Sequence, residues 1–520
     1  MHIAIINVVM SRVSIIFYIF AAAKLSILYR NQTKKALIMN KNDLKPAVVF
    51  AEFAKINEIP RPSKREEKMI EYLKNWGESH NLDTKVDETG NVIIRKPATK
   101  GMEKRKGIIL QAHMDMVPQK NNDVKHDFLT DPIETWIDGE WVKAKGTTLG
   151  ADDGMGVAMA MAVAESKDLK HGPIEILITY DEETGMTGAN KLEPGVLKGD
   201  ILINLDSETE GELYVGCAGG MDTEGSGRYT KIRRPKGYEA YSLQVKGCQG
   251  GHSGMDIILC RANANRIAAR LTDLILAKTD TKLVEFTGGN MRNAIPREAE
   301  VLLYVKNPMQ VARLVRKTAR EIFDEFGHTD PDMSISLIPS VFNKGYVKED
   351  EACKLVGAVL ACPDGVERMS QTMPGTVETS NNLAIVKIAG GKVSIVTLMR
   401  SFIDSAKLAL SRKISAVLGN AGIKTRFVGG YSGWAPDDKS VILHVMKQSY
   451  KKLYGKEPEV MAIHAGLECG IIGGIYPGLD MISCGPTLKS PHSPDERCYI
   501  PSVQKAWDFL VEVLKDIPEK

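Results

Sequence analysis

The sequence predicts an α/β fold in which one domain, built on a mixed and mostly parallel sheet flanked by helices, is split along the chain by an inserted α+β domain. Two observations carry this expectation. Short apolar runs alternate with helically spaced segments up to about residue 213, the pattern of an α/β sheet. From about 214 to 427 the texture changes to alternating strands and long amphipathic helices, after which the first texture returns.

The elements follow in order. "AVVFAEFAKI" and "EEKMIEYLKNW" have helical apolar spacing, and "IPRPS" separates them as proline should. "NVIIRK" and "GIILQA" read as strands. "DDGMGVAMAMAVAES" is small and apolar nearly all round, which predicts a helix buried between the sheet and its neighbours. "IEILITY" and "ILINL" are short apolar runs of the kind found in central parallel strands. Within the insert, "YSLQVKG" and "EAEVLLYVK" read as strands, and "ANANRIAARLTDLIL" and "QVARLVRKTAREIFDEF" as helices. This alternation suggests two similar units in tandem, although no clean internal repeat is visible. "GGYSGWAPD" (429–437) is a Gly/Pro-rich region where the chain returns to the first domain, and 438–520 adds helices and the strand "DMISCG". The expected divisions are thus 39–213, 214–427 and 428–520.

Residues 1–38 stand apart. They are apolar with few charges, but the longest uncharged piece, Val13 to Ala23, is short for a span needing about 20 residues. The favoured reading is a translation start at Met39. The alternative is an N-terminal membrane anchor.

Composition excludes some partners. Sixty-eight basic against 65 acidic side chains give a net charge of +3 over 520 residues, so no broad basic face is available for nucleic acid. The eight cysteines include no CxxC pair, which points to reduced thiols in a reducing compartment. The expected location is the cytoplasm.

In "GIILQAHMDMVPQ" an apolar run stops at His113, and Asp115 follows two residues later. On extended backbone the two share a face, so the carboxylate can hold the imidazole in one tautomer. Alone, this is more simply a surface pair. Four more clusters stand where apolar runs begin or end: Asp152 and Asp153 in "TLGADDGMG", Asp181, Glu182 and Glu183 in "LITYDEETG", Asp206 in "LINLDSETEG", and His492 in "ISCGPTLKSPHSPDE". Each has an ordinary explanation, such as a helix cap for either aspartate of the first cluster. Together they do not, because loops at the carboxyl ends of parallel strands converge on one crevice. Five carboxylates and two imidazoles crowded there repel, and divalent ions resolve the conflict. Mixed His and carboxylate donors suit zinc, with manganese or cobalt as substitutes. One bridging carboxylate, plus one His and one further acid on each of two ions, uses three acids. One remaining acid can then act as general base, and another can orient a histidine. Two dications against three carboxylates leave a positive site that favours a bound hydroxide.

The motifs "HMDMVP", "GADDGMG", "DEETGMTGA", "NLDSE", "GGHSGMDI", "NAIPREA", "HAGLECG" and "PHSPDE" resemble those of the aminoacyl-histidine dipeptidases, the bacterial cytosolic nonspecific dipeptidases of the di-zinc aminoacylase/carboxypeptidase superfamily. Order and spacing match from about residue 40 to the end. The resemblance implies His113 and Asp206 as ligands of one metal, Glu183 and His492 as ligands of the other, and Asp152 as the bridge. It implies Asp115 as the aspartate that orients the histidine and Glu182 as the general base. In the insert, which the resemblance makes a lid, His252 reaches the substrate carbonyl oxygen, and Asn293 and Arg400 hold the peptide and its terminal carboxylate. His464 lies near the substrate end of the pocket. Asp153 departs from the pattern, since relatives often have Asn there, and adds a negative charge. The implied activity is hydrolysis of dipeptides, of Xaa-His type and more broadly, by a metal-bridged hydroxide. A homodimer is implied as well. The alternatives are a di-metal tripeptidase, an N-acyl amino acid deacylase, or a non-catalytic membrane-tethered protein that binds metal or peptide.

Overall fold

The computed structural model describes residues 44–520, so both the 1–38 extension and the Met39 start lie outside the described residues. An eight-stranded sheet runs in the order Asp83–Val86, Val92–Lys96, Ile174–Thr179, Ile108–His113, Ile201–Asn204, Asp480–Ser483, Glu212–Cys217, Glu459–Ile463. Its centre is parallel, from Ile174–Thr179 to Asp480–Ser483. Three of these central strands are buried over their whole length, because both faces are covered. Ile108, Leu110 and Ala112 face one core with the helices Ala47–Asn57, Ala151–Glu165, Val441–Tyr454 and Ile500–Asp516. Ile109 faces the other, with Leu177, Leu202 and the helix Glu468–Ile475. The helix Ala151–Glu165 is buried on every side from Asp153 to Ala164, as its small, apolar sequence requires.

The second sheet has nine strands, and every pairing in it is antiparallel. It is built from two βαββαβ units of four strands each, with Gly365–Met369 as a ninth strand beside Val377–Ala389. The first unit runs Glu239–Lys246, helix Ala264–Lys278, Thr281–Gly288, Ala299–Val305, helix Pro308–Phe326, Ser334–Pro339. The second takes Gly219–Arg228 as its first strand. It resumes with helix Glu349–Ala361, Val377–Ala389, Lys392–Ser401, helix Asp404–Asn420 and Lys424–Val428. The units meet edge to edge where Phe286 pairs with Ile388. One unit is therefore nested inside the other, after its first strand. This corrects the tandem arrangement and explains why no repeat is visible along the sequence. All four helices contribute to one apolar cluster, through Ala268, Val315, Val356 and Leu410 among others.

The chain changes sheets at Ala218, a few residues beyond the expected change of texture at 214, because Glu212–Cys217 still pairs in the first sheet. The outgoing and returning segments lie side by side there. Cys217 and Trp434 exchange backbone hydrogen bonds of 2.9 Å in both directions, and Tyr431 N–H donates to Gly220 O at 3.0 Å. Gly219 is required at this crossing, since a Cβ would come within 2.5 Å of the Gly433 backbone nitrogen. Among the described residues no helix is long and apolar enough to cross a membrane.

Candidate active site

The acidic and histidine cluster gathers at the carboxyl ends of the parallel strands. His113 ends the strand Ile108–His113, and Asp206 lies two residues past Ile201–Asn204. Glu182 and Glu183 open the short helix Glu182–Gly185 that follows Ile174–Thr179. Asp152 lies in the first turn of Ala151–Glu165, and His492 in the loop between Leu488–Lys489 and Arg497–Tyr499.

Asp152 is the centre of the arrangement. Its Oδ1 is 3.1 Å from His113 Nε2, and its Oδ2 is 3.1 Å from His492 Nε2. Asp206 Oδ1 lies 3.4 Å from the same nitrogen of His113, and Glu183 Oε2 lies 3.0 Å from that of His492. Two triads, His113–Asp152–Asp206 and Asp152–Glu183–His492, thus share one carboxylate, and in each the three donor atoms lie within 4.8 Å of one another. Glu182 joins His113 and Glu183 in a third group within the same limit.

Asp115, fully buried, fixes two of these parts at once. Its Oδ1 stands 3.3 Å from His113 Nδ1, and its carboxylate accepts the N–H groups of Glu182 at 3.0 Å and Glu183 at 3.2 Å. The acidic turn needs left-handed residues at both ends, Asp181 (φ 51°) and Met186 (φ 47°). Aspartate tolerates that conformation better than most residues, and its carboxylate accepts the hydroxyls of Thr184 and Thr187.

The electrostatics are those of crowded, mostly buried acids. Burial, reinforced by Asp152, lifts Asp206 to about 8 against the opposing pull of His113. Burial, then the charges of Asp206, Glu468 and Glu183, push Glu182 well above the usual carboxylate range. Burial opposes a charged His113, but Asp206, Asp115 and Asp152 overcome it and hold its pKa well above the ordinary value. Hydrogen bonds to Asp152 and Glu183 raise His492 to about 11. The donor set fits two divalent cations. Each would take one imidazole nitrogen and one unshared carboxylate, with Asp152 in common, and the buried Glu183 Oε1 has no hydrogen-bond partner within the protein.

The adjacent aspartates differ in role. Asp153 Oδ1 accepts the N–H of Gly156 at 3.1 Å, and its Oδ2 accepts the backbone N–H of His113 at 3.4 Å. It is the helix cap, while Asp152 faces the histidines. Burial, then the charge of Asp206, push the Asp153 carboxyl well above its ordinary range. Burial and the neighbouring Asp206 thus oppose the negative charge expected of Asp153, while His113 favours it.

Two supporting residues escaped the sequence reading. Buried Glu496 accepts the N–H groups of Leu149, Gly150, Ala151 and Asp152 at 2.7, 3.0, 2.7 and 3.3 Å, holding the loop that presents Asp152. Arg61, fully buried, donates to the carbonyls of Met114 and Asp115 at 3.0 Å and of Gly150 at 2.5 Å, tying that loop to the His113 strand end. Gly150 (φ 66°) lets the guanidinium approach, since a Cβ would meet Arg61 Nη2 at 2.6 Å. The only signals were a charge between the prolines of "IPRPS" and an acid four residues past His492.

The remaining expected residues form a second cluster. His252 Nδ1 accepts N–H groups from Gly254 at 3.3 Å and Met255 at 3.1 Å, and its Nε2 lies 3.5 Å from Arg400 Nη2. Buried Arg400 donates to Ser253 Oγ at 3.4 Å and Tyr431 Oη at 3.3 Å. His464 Nε2 lies 2.7 Å from Ser380 Oγ, and burial, then Arg400, lower its pKa to about 3. Asn293 is exposed, and its carbonyl accepts the Ser253 N–H at 2.9 Å. Among the described residues no hydrogen bond or ion pair joins these four to the Asp152 pocket.

This chain is 44% identical to the cytosol non-specific dipeptidase of Escherichia coli (strain K12) over 481 residues, 92% of this chain and 99% of that protein. The crystal structure of the aminoacylhistidine dipeptidase from Vibrio alginolyticus is similar with a TM-score of 0.89 and 46% identity, covering 92% of this chain and 99% of that one. Aminopeptidase PepT from Bacillus cereus, at a TM-score of 0.52 and 17% identity over 92% of this chain and 99% of that one, shares the fold alone. The profile of peptidase family M20/M25/M40 matches residues 109–516, and the chain belongs to that family.

Proposed function

We propose that the protein is a dipeptidase that works with two divalent cations, zinc foremost with manganese or cobalt as substitutes. His113 and Asp206 would hold one, Glu183 and His492 the other, and Asp152 both. The observation that carries this reading is the division of Asp152 between two histidines, 3.1 Å to each from different oxygens. When bound, the cations would polarise the scissile carbonyl and lower the pKa of water.

The protein's own groups do the rest. Glu182, whose pKa is raised by burial, takes a proton from water and delivers it to the leaving amine. Asp115 keeps His113 in the tautomer that presents Nε2 to Asp152. The nested sheet serves as the lid. His252, protonated on Nε2, donates to the oxyanion, and Arg400 pairs with the free carboxylate of the peptide, with Asn293 and His464 beside them. Fixing that carboxylate at a set distance from the scissile bond restricts the substrate to short peptides. The two dipeptidases similar over 92% of this chain support this choice of substrate, and the name of the first supports the cytoplasm. We also propose a homodimer, checked by sedimentation.

The test is a panel of dipeptides, tripeptides and N-acetyl amino acids, assayed with added zinc or manganese and after chelation. Preferential, chelator-sensitive hydrolysis of dipeptides is expected. Preference for either other class would make the protein a tripeptidase or a deacylase. No hydrolysis with metal bound would leave it a binding protein.

A further inference from the structure

Beside Asp115 lies a buried acid that the mechanism does not use. Glu66 immediately precedes the helix Glu67–Ser79 and is fully buried. Its Oε1 accepts the backbone N–H of Asp181 at 3.0 Å. Its Oε2 is buried and has no hydrogen-bond partner within the protein. Oxygens of Glu66, Asp115 and Asp181, three buried acids, lie within 4.8 Å of one another. His113 pairs with Asp115 at 3.3 Å, and among the described residues no ion pair reaches Glu66 or Asp181. The Arg61 guanidinium is committed to carbonyl oxygens, and Lys64 is exposed. The other ionisable neighbours, Tyr180 and Glu67, bring no positive charge.

The hydrogen-bond inventory shows where a proton would go. Asp181 Oδ1 accepts the hydroxyl of Thr184 and Oδ2 that of Thr187. Asp115 Oδ1 accepts the Glu182 N–H and faces His113, Oδ2 accepts the Glu183 N–H, and the Ser63 hydroxyl, whose other acceptor is Met116 O at 3.4 Å, also bonds this carboxylate. A carboxylate oxygen accepts two bonds, so either neighbouring acid can take a donor, and Asp115 is the one whose charge acts on Glu66.

We propose that Glu66 is a positioning residue, held as a carboxylic acid whose Oε2–H donates to Asp115, so that a chain Glu66–Asp115–His113 sets the aim of the metal-facing imidazole. The proposal rests on the role of Asp115 given above. Burial, then the charge of Asp115, raise Glu66 to about 7, which favours the acid at and below neutrality. Ionisation of Glu66 at higher pH adds a second negative charge beside Asp115. The contact would open, and activity would decline on the alkaline side.

The test uses the full-length protein and the variants Glu66→Gln and Glu66→Leu. Glutamine keeps the shape and offers an N–H₂ donor that does not ionise, and leucine removes the donor. Infrared difference spectra of wild type against E66Q should show the carbonyl stretch of a protonated carboxylic acid near neutral pH, lost on alkaline titration. This readout needs neither turnover nor bound metal. E66Q should keep kcat/KM within about 2-fold at neutral pH and lose the alkaline limb, whereas E66L should fall about 10- to 100-fold, the range for partners that orient metal ligands. If E66L does not fold, the spectrum and the E66Q profile decide the matter. Absence of the acid band overturns the proposal even if the protein hydrolyses dipeptides. A third cation per chain, present in wild type and lost in E66Q, overturns it in favour of a metal at the acid group. An E66Q that retains both metals yet is as inactive as E66L also overturns it. Failure of wild type to cleave dipeptides while the band is present would count against the proposed substrate, not against the Glu66 proton.

Discussion

His113 Nε2 and His492 Nε2 each lie 3.1 Å from a different oxygen of Asp152. One histidine ends a strand in the first half of the chain, and the other sits in a loop near its end. Asp152 therefore joins two parts of the fold that no local interaction would bring together. Changing it to Asn should remove the charge that both triads share. Metal content measured by mass spectrometry is expected to fall from about two ions per chain to below one, with loss of turnover, whereas His492→Ala should weaken one ion and spare the other.

Glu182→Gln leaves all five proposed ligands in place. Both cations should stay bound while kcat drops by about 10²- to 10⁴-fold, the range for a general acid–base group. Parallel metal analysis and steady-state kinetics check this, and near-normal turnover would remove Glu182 from the chemistry.

Arg400→Met should raise KM for dipeptides by about 100-fold and change kcat less, because a buried guanidinium–carboxylate pair contributes about 2–3 kcal/mol. Dipeptide amides lack the carboxylate, so wild type and variant should handle them alike. Kinetics on matched acids and amides distinguish a carboxylate clamp from general damage to the fold.

The chelated protein should lose stability as pH rises. Asp206 (to about 8), Glu468 and Glu66 (each to about 7) have pKa values that folding raises, chiefly through burial. Their contribution is complete below the ordinary carboxylate range and disappears as pH passes 7 to 8. His492, raised to about 11 by Asp152 and Glu183, acts in the same direction from about 6.5 upward. Cation binding requires these imidazoles and carboxylates to be deprotonated, so it strengthens over the same interval. The gap in Tm between metal-loaded and chelated protein should therefore widen by several degrees from pH 6 to pH 8, as scanning calorimetry would show.

Glu496→Ala would strand the four N–H groups that present Asp152. Leaving buried donors unpaired costs about 1–3 kcal/mol, and partners that orient ligands affect metal affinity by about 10- to 100-fold. Denaturant unfolding of the chelated protein and zinc titration of the folded one measure these two effects separately.

Much of the site was legible because its acids and histidines stand where apolar runs stop. A strand that ends abruptly at His113 or just before Asp206 marks the rim of a parallel sheet, and strand rims converge. The choice between Asp152 and Asp153 was not legible from spacing alone. It depends on which carboxylate turns back to cap Gly156, a matter of backbone direction at the helix start. Arg61 and Glu496 were hidden for a related reason, since both act on backbone atoms far away in sequence and leave no periodic pattern. The two βαββαβ units were readable as strands and helices, but not as nested, because pairing partners are fixed by tertiary contacts.

The crossing at Cys217 and Trp434 has a consequence for how such a chain could be assembled. All eight strands of the first sheet come from residues 83–217 and 459–483, so none is borrowed from the excursion between them. The excursion departs and arrives through the same narrow gate, where Cys217 and Trp434 already touch through their backbones. Joining those two points would close the smaller scaffold without moving its strands. The nested sheet is thus a detachable cassette, of the kind a single gene insertion could add to, or a deletion could take from, an older hydrolase frame.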